Sequence, residues 1–320
     1  MALLDVVNLR TYFKVENGYL KSVDGVSFTV DKGETVGLVG ESGSGKSVTC
    51  LSILRLIPQP PGIYAGGNVY FEGKDLLAID QTEMRGIRGN RISMIFQEPM
   101  SYLNPVYKVW FQIAEIIRAH QPVSGAAAKR RSIELLSHVG IPSPGNRAED
   151  YPHQLSGGMR QRVMIAMAIA CDPSVLIADE PTTALDVTIQ AQILELLSRL
   201  QHETGMSIIL VTHDLGVISE VTKRVVVIYC GHVVEVLKTS RLENEAVHPY
   251  TRGLIQSVPT VGQQMSRLSA IPGSVPNLYA LPQGCKFHPR CNRANQICSR
   301  KIPDMVQVGE GHWVRCHRIG

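Results

Sequence analysis

Residues 40 to 47 read GESGSGKS, the pattern G-x-x-x-x-G-K-S. Gly40, Gly43 and Gly45 let the backbone turn so that consecutive N–H groups converge on one point, and convergent N–H groups hold an anion, above all a phosphate. Lys46 is placed to reach the β- and γ-phosphates of a nucleotide, and the Ser47 hydroxyl to ligate Mg²⁺. Ser42, Ser44 and Val48 complete the expected binding set. The flanking sequence supplies what such a loop needs. Thr35–Val39 is an apolar, strand-like run, and SVTCLSILRLI after the loop suits a helix whose positive end adds to the cradle.

A second run, SVLIADEPT over 174–182, has the continuous hydrophobicity of a strand buried on both faces and ends in two carboxylates. Buried parallel strands present ligand groups at their carboxyl ends. Asp179 is expected to hold Mg²⁺ through water, and Glu180 to polarise the water that attacks a γ-phosphate. LSGGMRQR over 155–162 makes a further anion site without a lysine: Ser156 is a natural N-cap, and Gly157 and Gly158 leave N–H groups accessible at a helix start. One nucleotide already has a cradle, so the second one points to a nucleotide held by another subunit.

With these motifs in this order, the chain resembles the ATP-binding cassette family, whose signature motif LSGGMRQR resembles. The other landmarks fall in sequence: Gln97 in ISMIFQEP resembles the Q-loop glutamine, the A-L-D at 184–186 a D-loop, and His213 in SIILVTHD the switch histidine. Phe13 or Tyr12 fits the aromatic that stacks on adenine. The resemblance implies an α/β P-loop NTPase, a RecA-like core from residues 1–97 and 166–240 with a helical subdomain over about 98–165. Two cassettes would meet head to tail, each ATP between one subunit's phosphate loop and the other's signature loop. Lys46, Ser47, Asp179 and Gln97 would then serve ATP and Mg²⁺, Glu180 would orient water, and His213 would contact the γ-phosphate.

From about residue 241 the sequence turns proline-rich, with HPYTRGLIQSVPT and IPGSVPNL. These stretches resemble the C-terminal extension of ATPase subunits of dipeptide and oligopeptide permeases, which implies an irregular extension over 241–320 beyond a cassette of residues 1–240. The same resemblance implies a bacterial importer for di- or oligopeptides or related small solutes. Its partners would be a second ATPase subunit, either a sister chain or a second copy of this one, two transmembrane permease subunits and an extracytoplasmic solute-binding protein. The chain would sit peripherally on the cytoplasmic face of the cell membrane. Cys285, Cys291, Cys298 and Cys316 are spaced C-x5-C-x6-C-x17-C. These wide spacings suit a [4Fe-4S] cluster better than zinc, which favours tighter knuckles. Lys286, Arg290, Arg293 and Arg315 would offset the cluster's charge.

Composition bounds these readings. The chain has 320 residues, 44% hydrophobic and 19% charged, enough for a sizeable core. A net charge of +4 is too mild for an obligate nucleic-acid binder, so no nucleic-acid partner is expected. The longest uncharged apolar run, Val163 to Cys171, is too short to cross a bilayer. MALLDVVNLR lacks the basic leader of a signal peptide, which suits a reducing compartment and core roles for Cys50, Cys171 and Cys230. Two rivals remain: a cassette ATPase acting on nucleic acid or the ribosome, whose zinc or coiled-coil insertions and tandem cassettes this chain lacks, and a regulatory iron-sulfur module that binds ATP without turnover.

Overall fold

The computed structural model describes residues 2–183, 185–257 and 271–319. Ala184 of the A-L-D run and Val258 at the end of the helix-like TRGLIQSV stretch lie outside the described residues. The chain forms two compact units, Met1–Ala78 with Leu210–Gly320, and Ile79–Ile209.

In the first unit, strands Leu4–Val15 and Gly18–Val30 form an antiparallel hairpin, and Gly62–Phe71 pairs antiparallel with the first of them. A second sheet is built around Thr35–Val39, which runs parallel to Arg224–Tyr229 with Val36 opposite Arg224 and Val39 opposite Val227. Both strands are buried along almost their whole length, as continuous Val/Ile runs require when both faces are covered. His232–Lys238 pairs antiparallel with Arg224–Tyr229. The extension then continues this sheet: His312–Val314 pairs with His232–Lys238, and Val306–Gly309 with His312–Val314. Among the described residues the extension thus adds two strands to this sheet. Its end closes the edge of the sheet that carries the phosphate-loop strand.

A buried polar cluster fastens this edge. Glu235 is fully buried and accepts hydrogen bonds from the Val247 and His248 amides at 2.7 and 3.1 Å, while His312 Nε2 lies 2.8 Å from its Oε1. Beside it, Tyr229, Tyr250 and Phe287 meet with ring centroids 4.6, 5.2 and 5.4 Å apart. Edge-on and tilted contacts at these spacings suit the aromatic quadrupole. Tyr250 and Phe287 belong to the extension, so its main apolar anchors pack on the sheet strand bearing Tyr229.

In the second unit, Ile92–Ile95 and Val175–Asp179 pair in parallel, every residue of both buried. Helices Val109–His120, Gly125–His138 and Gly157–Ala168 account for most of residues 98–168. Val109, Gln112, Ile113 and Ile117 line one face of the first at helical spacing, and Ser124 caps the second through the Ala127 amide. Asp186 caps Val187–Thr204, and Gly205, at φ 69°, ends it. No helix among the described residues is long and apolar enough to cross a membrane.

Removing a buried acceptor leaves the Val247 and His248 amides without their partner. Each stranded buried donor costs about 1–3 kcal/mol, so Glu235→Ala is expected to destabilise the chain by about 3 kcal/mol, read as a fall in the urea midpoint at unchanged slope. An unchanged midpoint would show that Glu235 does not fasten the extension.

Candidate functional site

The phosphate loop takes the conformation its sequence demands. Gly43 and Gly45 have φ of 77° and 103°, the left-handed region that β-carbons disfavour. A Cβ on Gly45 would overlap the Ser22 carbonyl oxygen, and one on Gly40 the Ile228 carbonyl oxygen. Helix Lys46–Ile53 starts directly after Gly45, so its unpaired N–H groups face the loop. Lys46, 4% exposed, donates from Nζ to the Gly40 and Glu41 carbonyls at 2.6 and 3.1 Å. Ser44 is buried, and its Oγ has no hydrogen-bond partner among the described residues. A buried hydroxyl without a partner, two residues before a helix start, fits a phosphate oxygen. Ser42 and Gly43 are exposed, and Ser47 and Val48 half-buried.

Tyr12 and Phe13 lie on the first strand of the same unit. The Tyr12 hydroxyl donates to Asp24 at 2.6 Å and Lys21 Nζ sits 5.3 Å from its ring. Burial, then the Asp24 hydrogen bond, raises the Tyr12 pKa to about 12. Phe13 is half-buried opposite Leu20 and Gly62. His213, also in this unit, is exposed and follows strand Ser207–Thr212 directly.

The second unit brings together Gln97 and Glu180. Gln97 Nε2 donates to Glu180 Oε2 at 2.9 Å, and Thr183 Oγ1 donates to the same oxygen at 2.9 Å. Glu180 follows the buried strand ending at Asp179 and holds φ 47°, a strained conformation for a residue with a side chain. Two donors on one oxygen fix the carboxylate's direction at a backbone that is itself constrained. Asp179 and Glu180 are 4% and 9% exposed. Ser156 caps helix Gly157–Ala168 through the Met159 amide, with Ser156 and Gly157 exposed, and a Cβ on Gly158 would press on Ile189. The signature loop thus has the predicted cap and open backbone.

The iron-sulfur expectation is corrected. Cys285, Cys291, Cys298 and Cys316 are free thiols, and among the described residues no group of three or more His, Cys, Asp or Glu side chains is arranged to hold a metal ion, zinc included. Burial pushes the Cys285 thiol up to about 11, and Cys298 Sγ donates to Asn295 Oδ1 at 3.1 Å. Three of the four cations expected to offset a cluster are committed elsewhere: Arg290 to Glu41, Arg315 to the Val233 and Pro303 carbonyls, Lys286 to the Pro282 carbonyl. The spacing suggested a ligand set, but spacing along a chain does not place sulfurs around a common point. Cys50, Cys171 and Cys230 are buried, as expected of core residues.

Sequence reasoning missed Thr183 and Glu41, saw Tyr250 only as part of the HPYT stretch, and assigned Arg290 to a cluster. Thr183 lies within the acidic motif's own turn, a local signal that its hydroxyl could have given. The other three meet only through the fold.

Comparisons with known proteins agree with this geometry. A family model described as "ABC transporter" matches residues 23–183, and one described as "Oligopeptide/dipeptide transporter, C-terminal region" matches 234–298. The chain is 50% identical to a putative peptide import ATP-binding protein of Brucella abortus (strain 2308), over 99% of this chain and 97% of that protein. It is also 50% identical to the oligopeptide transport ATP-binding protein AppD of Bacillus subtilis, over 98% and 96%, and 48% identical to the dipeptide transport ATP-binding protein DppD of Escherichia coli, over 99% and 97%. Among solved structures it resembles the ATP-binding cassette MJ0796, in a dimeric post-hydrolysis state bound to ADP and Pi, with TM-score 0.66 and 29% identity over 74% of this chain and 98% of that one.

The crowded glycines give a direct test of the cradle. Gly45→Ala is expected to weaken binding of a fluorescent ATP analogue at least about tenfold, since the backbone must leave a conformation that costs roughly 1–2 kcal/mol or more with a side chain. Unchanged affinity would show that the loop is not the anion site.

Proposed function

The chain belongs to the ABC transporter family, and from that membership we propose that it is the ATP-hydrolysing subunit of a bacterial importer for di- or oligopeptides or related small solutes. The observation that carries this reading is the union in one chain of a phosphate cradle with an extension matching the oligopeptide/dipeptide transporter C-terminal region. Relatives aligned over almost their full length are named for peptide import or transport. The rival reading, an ATPase working on nucleic acid or the ribosome, gains no support from them.

In this reading residues 1–240 form the nucleotide-binding domain and 241–320 the permease-type extension. The cradle of Gly40, Ser42, Gly43, Ser44, Gly45, Lys46, Ser47 and Val48 binds the ATP phosphates, and backbone N–H groups and Lys46 offset their charge. Phe13 stacks on adenine, because Tyr12 is already engaged, its hydroxyl by Asp24 and its ring by Lys21. Each unit carries oxygen donors suited to a hard cation: the Ser47 hydroxyl in the first, the Asp179 carboxylate and Gln97 amide oxygen in the second. Bound Mg²⁺ would supply charge neutralisation at the phosphates.

Glu180 acts as the base that draws a proton from the attacking water. Gln97 and Thr183 hold its carboxylate in place, so the base does not have to be ordered at each turnover. His213 contacts the γ-phosphate. Ser156, Gly157 and Gly158 grip the nucleotide of a second ATPase subunit, so that ATP stabilises a closed pair and hydrolysis releases it. Two transmembrane subunits and an extracytoplasmic solute-binding protein complete the importer, with this chain peripheral on the cytoplasmic face of the membrane.

The test uses the assembled importer in proteoliposomes. Glu180→Gln keeps the side chain's size and removes its basicity, so ATP turnover and peptide uptake are expected to fall together by at least about a hundredfold, the scale of general-base catalysis, while ATP still binds. Turnover within a few-fold of the parent would remove Glu180 from that role. Turnover without any peptide-dependent uptake would contradict the transport reading.

A further inference from the structure

Glu41 follows the first glycine of the phosphate loop, yet it is held almost entirely by the C-terminal extension. Its carboxylate receives both ends of the Arg290 guanidinium, Nη1 to Oε2 at 2.7 Å and Nη2 to Oε1 at 3.0 Å. Its amide donates to the Tyr250 hydroxyl at 2.7 Å. Its carbonyl accepts from Lys46 Nζ and from the Ser44 amide, each at 3.1 Å. Every polar group of this residue is thus occupied, two by the extension and one within the loop.

The extension side is built to hold. Arg290 is 7% exposed, and its remaining donors reach the Pro272 carbonyl at 2.9 Å, the Gly273 carbonyl at 3.4 Å and the Tyr229 hydroxyl at 3.4 Å. Tyr250 is fully buried against Tyr229 and Phe287. A planar guanidinium pairs with a carboxylate in one geometry only, so this contact sets direction as well as charge. The charge matters because of where it lies. An unpaired carboxylate one residue from Gly40 would repel the phosphates the loop binds and compete with them for Lys46.

We propose that Arg290 and Tyr250 are positioning residues for nucleotide binding: acting through Glu41, they hold the phosphate loop open in its binding form and neutralise a carboxylate at its rim. The extension is thereby part of the ATP site. This proposal rests on the functional reading above and concerns residues that never touch the nucleotide.

The experiment is equilibrium binding of a fluorescent ATP analogue to the full chain. Arg290→Gln is expected to weaken binding about tenfold, the scale of losing a charged hydrogen-bonded partner, and Arg290→Lys to weaken it less. Tyr250→Phe removes only the acceptor for the Glu41 amide and is expected to weaken binding by a few-fold. The decisive variant is the double one. If the unpaired carboxylate causes the loss, Glu41→Gln combined with Arg290→Gln restores affinity to within about threefold of the parent, which a general packing defect would not allow. Should Arg290→Gln fail to fold, Arg290→Lys and Tyr250→Phe carry the same test. Parental affinity in the folded Arg290 and Tyr250 variants, or a double variant no better than Arg290→Gln, overturns the proposal while leaving the functional reading intact. A parent chain that binds no ATP analogue overturns both.

Discussion

The structure turns on one steric constraint: the backbone at the phosphate loop can close only where no side chain intervenes. Gly40 lies against the Ile228 carbonyl and Gly45 against the Ser22 carbonyl. The Gly231 amide donates to the Ser44 carbonyl at 2.8 Å, and the Gly231 carbonyl accepts from Asp24 at 2.8 Å. The loop is thus wedged between the turn after strand Arg224–Tyr229 and the antiparallel hairpin strand bearing Ser22 and Asp24. The loop backbone is kept in place by elements far apart in sequence, which is what preorganisation requires.

The extension follows from the same constraint. A loop with several glycines loses much conformational entropy on folding, and strand packing alone does not order its exposed side, where Ser42 and Gly43 lie. The tail meets this need at two points. Glu235 and His312 bind it to the sheet edge, and Tyr250 and Arg290 bring it to Glu41. Its buried aromatic anchors keep those polar contacts away from water, where hydrogen bonds and ion pairs are stronger.

Legibility in the sequence depended on distance along the chain. The loop, the acidic strand end and the signature cap are each contiguous, so residue types carry their chemistry directly. The strand pair ending the tail was not legible: segments of four and three residues hold too little alternation to announce a strand, and Glu235 that fastens them looks like any other charged residue. Arg290 and Glu41 are separated by 249 positions, and nothing local to either names the other. The cysteines show the opposite failure. Their types and spacing were legible, but chemistry was inferred without the geometry that decides it, and arginines assigned to a cluster serve the loop and the sheet.

The most direct measurement is hydrogen–deuterium exchange of the full chain with and without ATP. If the extension and the phosphate loop share one equilibrium, a ligand that stabilises the loop must stabilise the segments holding it, because coupling between sites is reciprocal. ATP is then expected to slow exchange in the peptide containing Glu41 and, in parallel, in the peptides containing Tyr250 and Arg290. Protection confined to the loop, with the extension unchanged, would contradict the account.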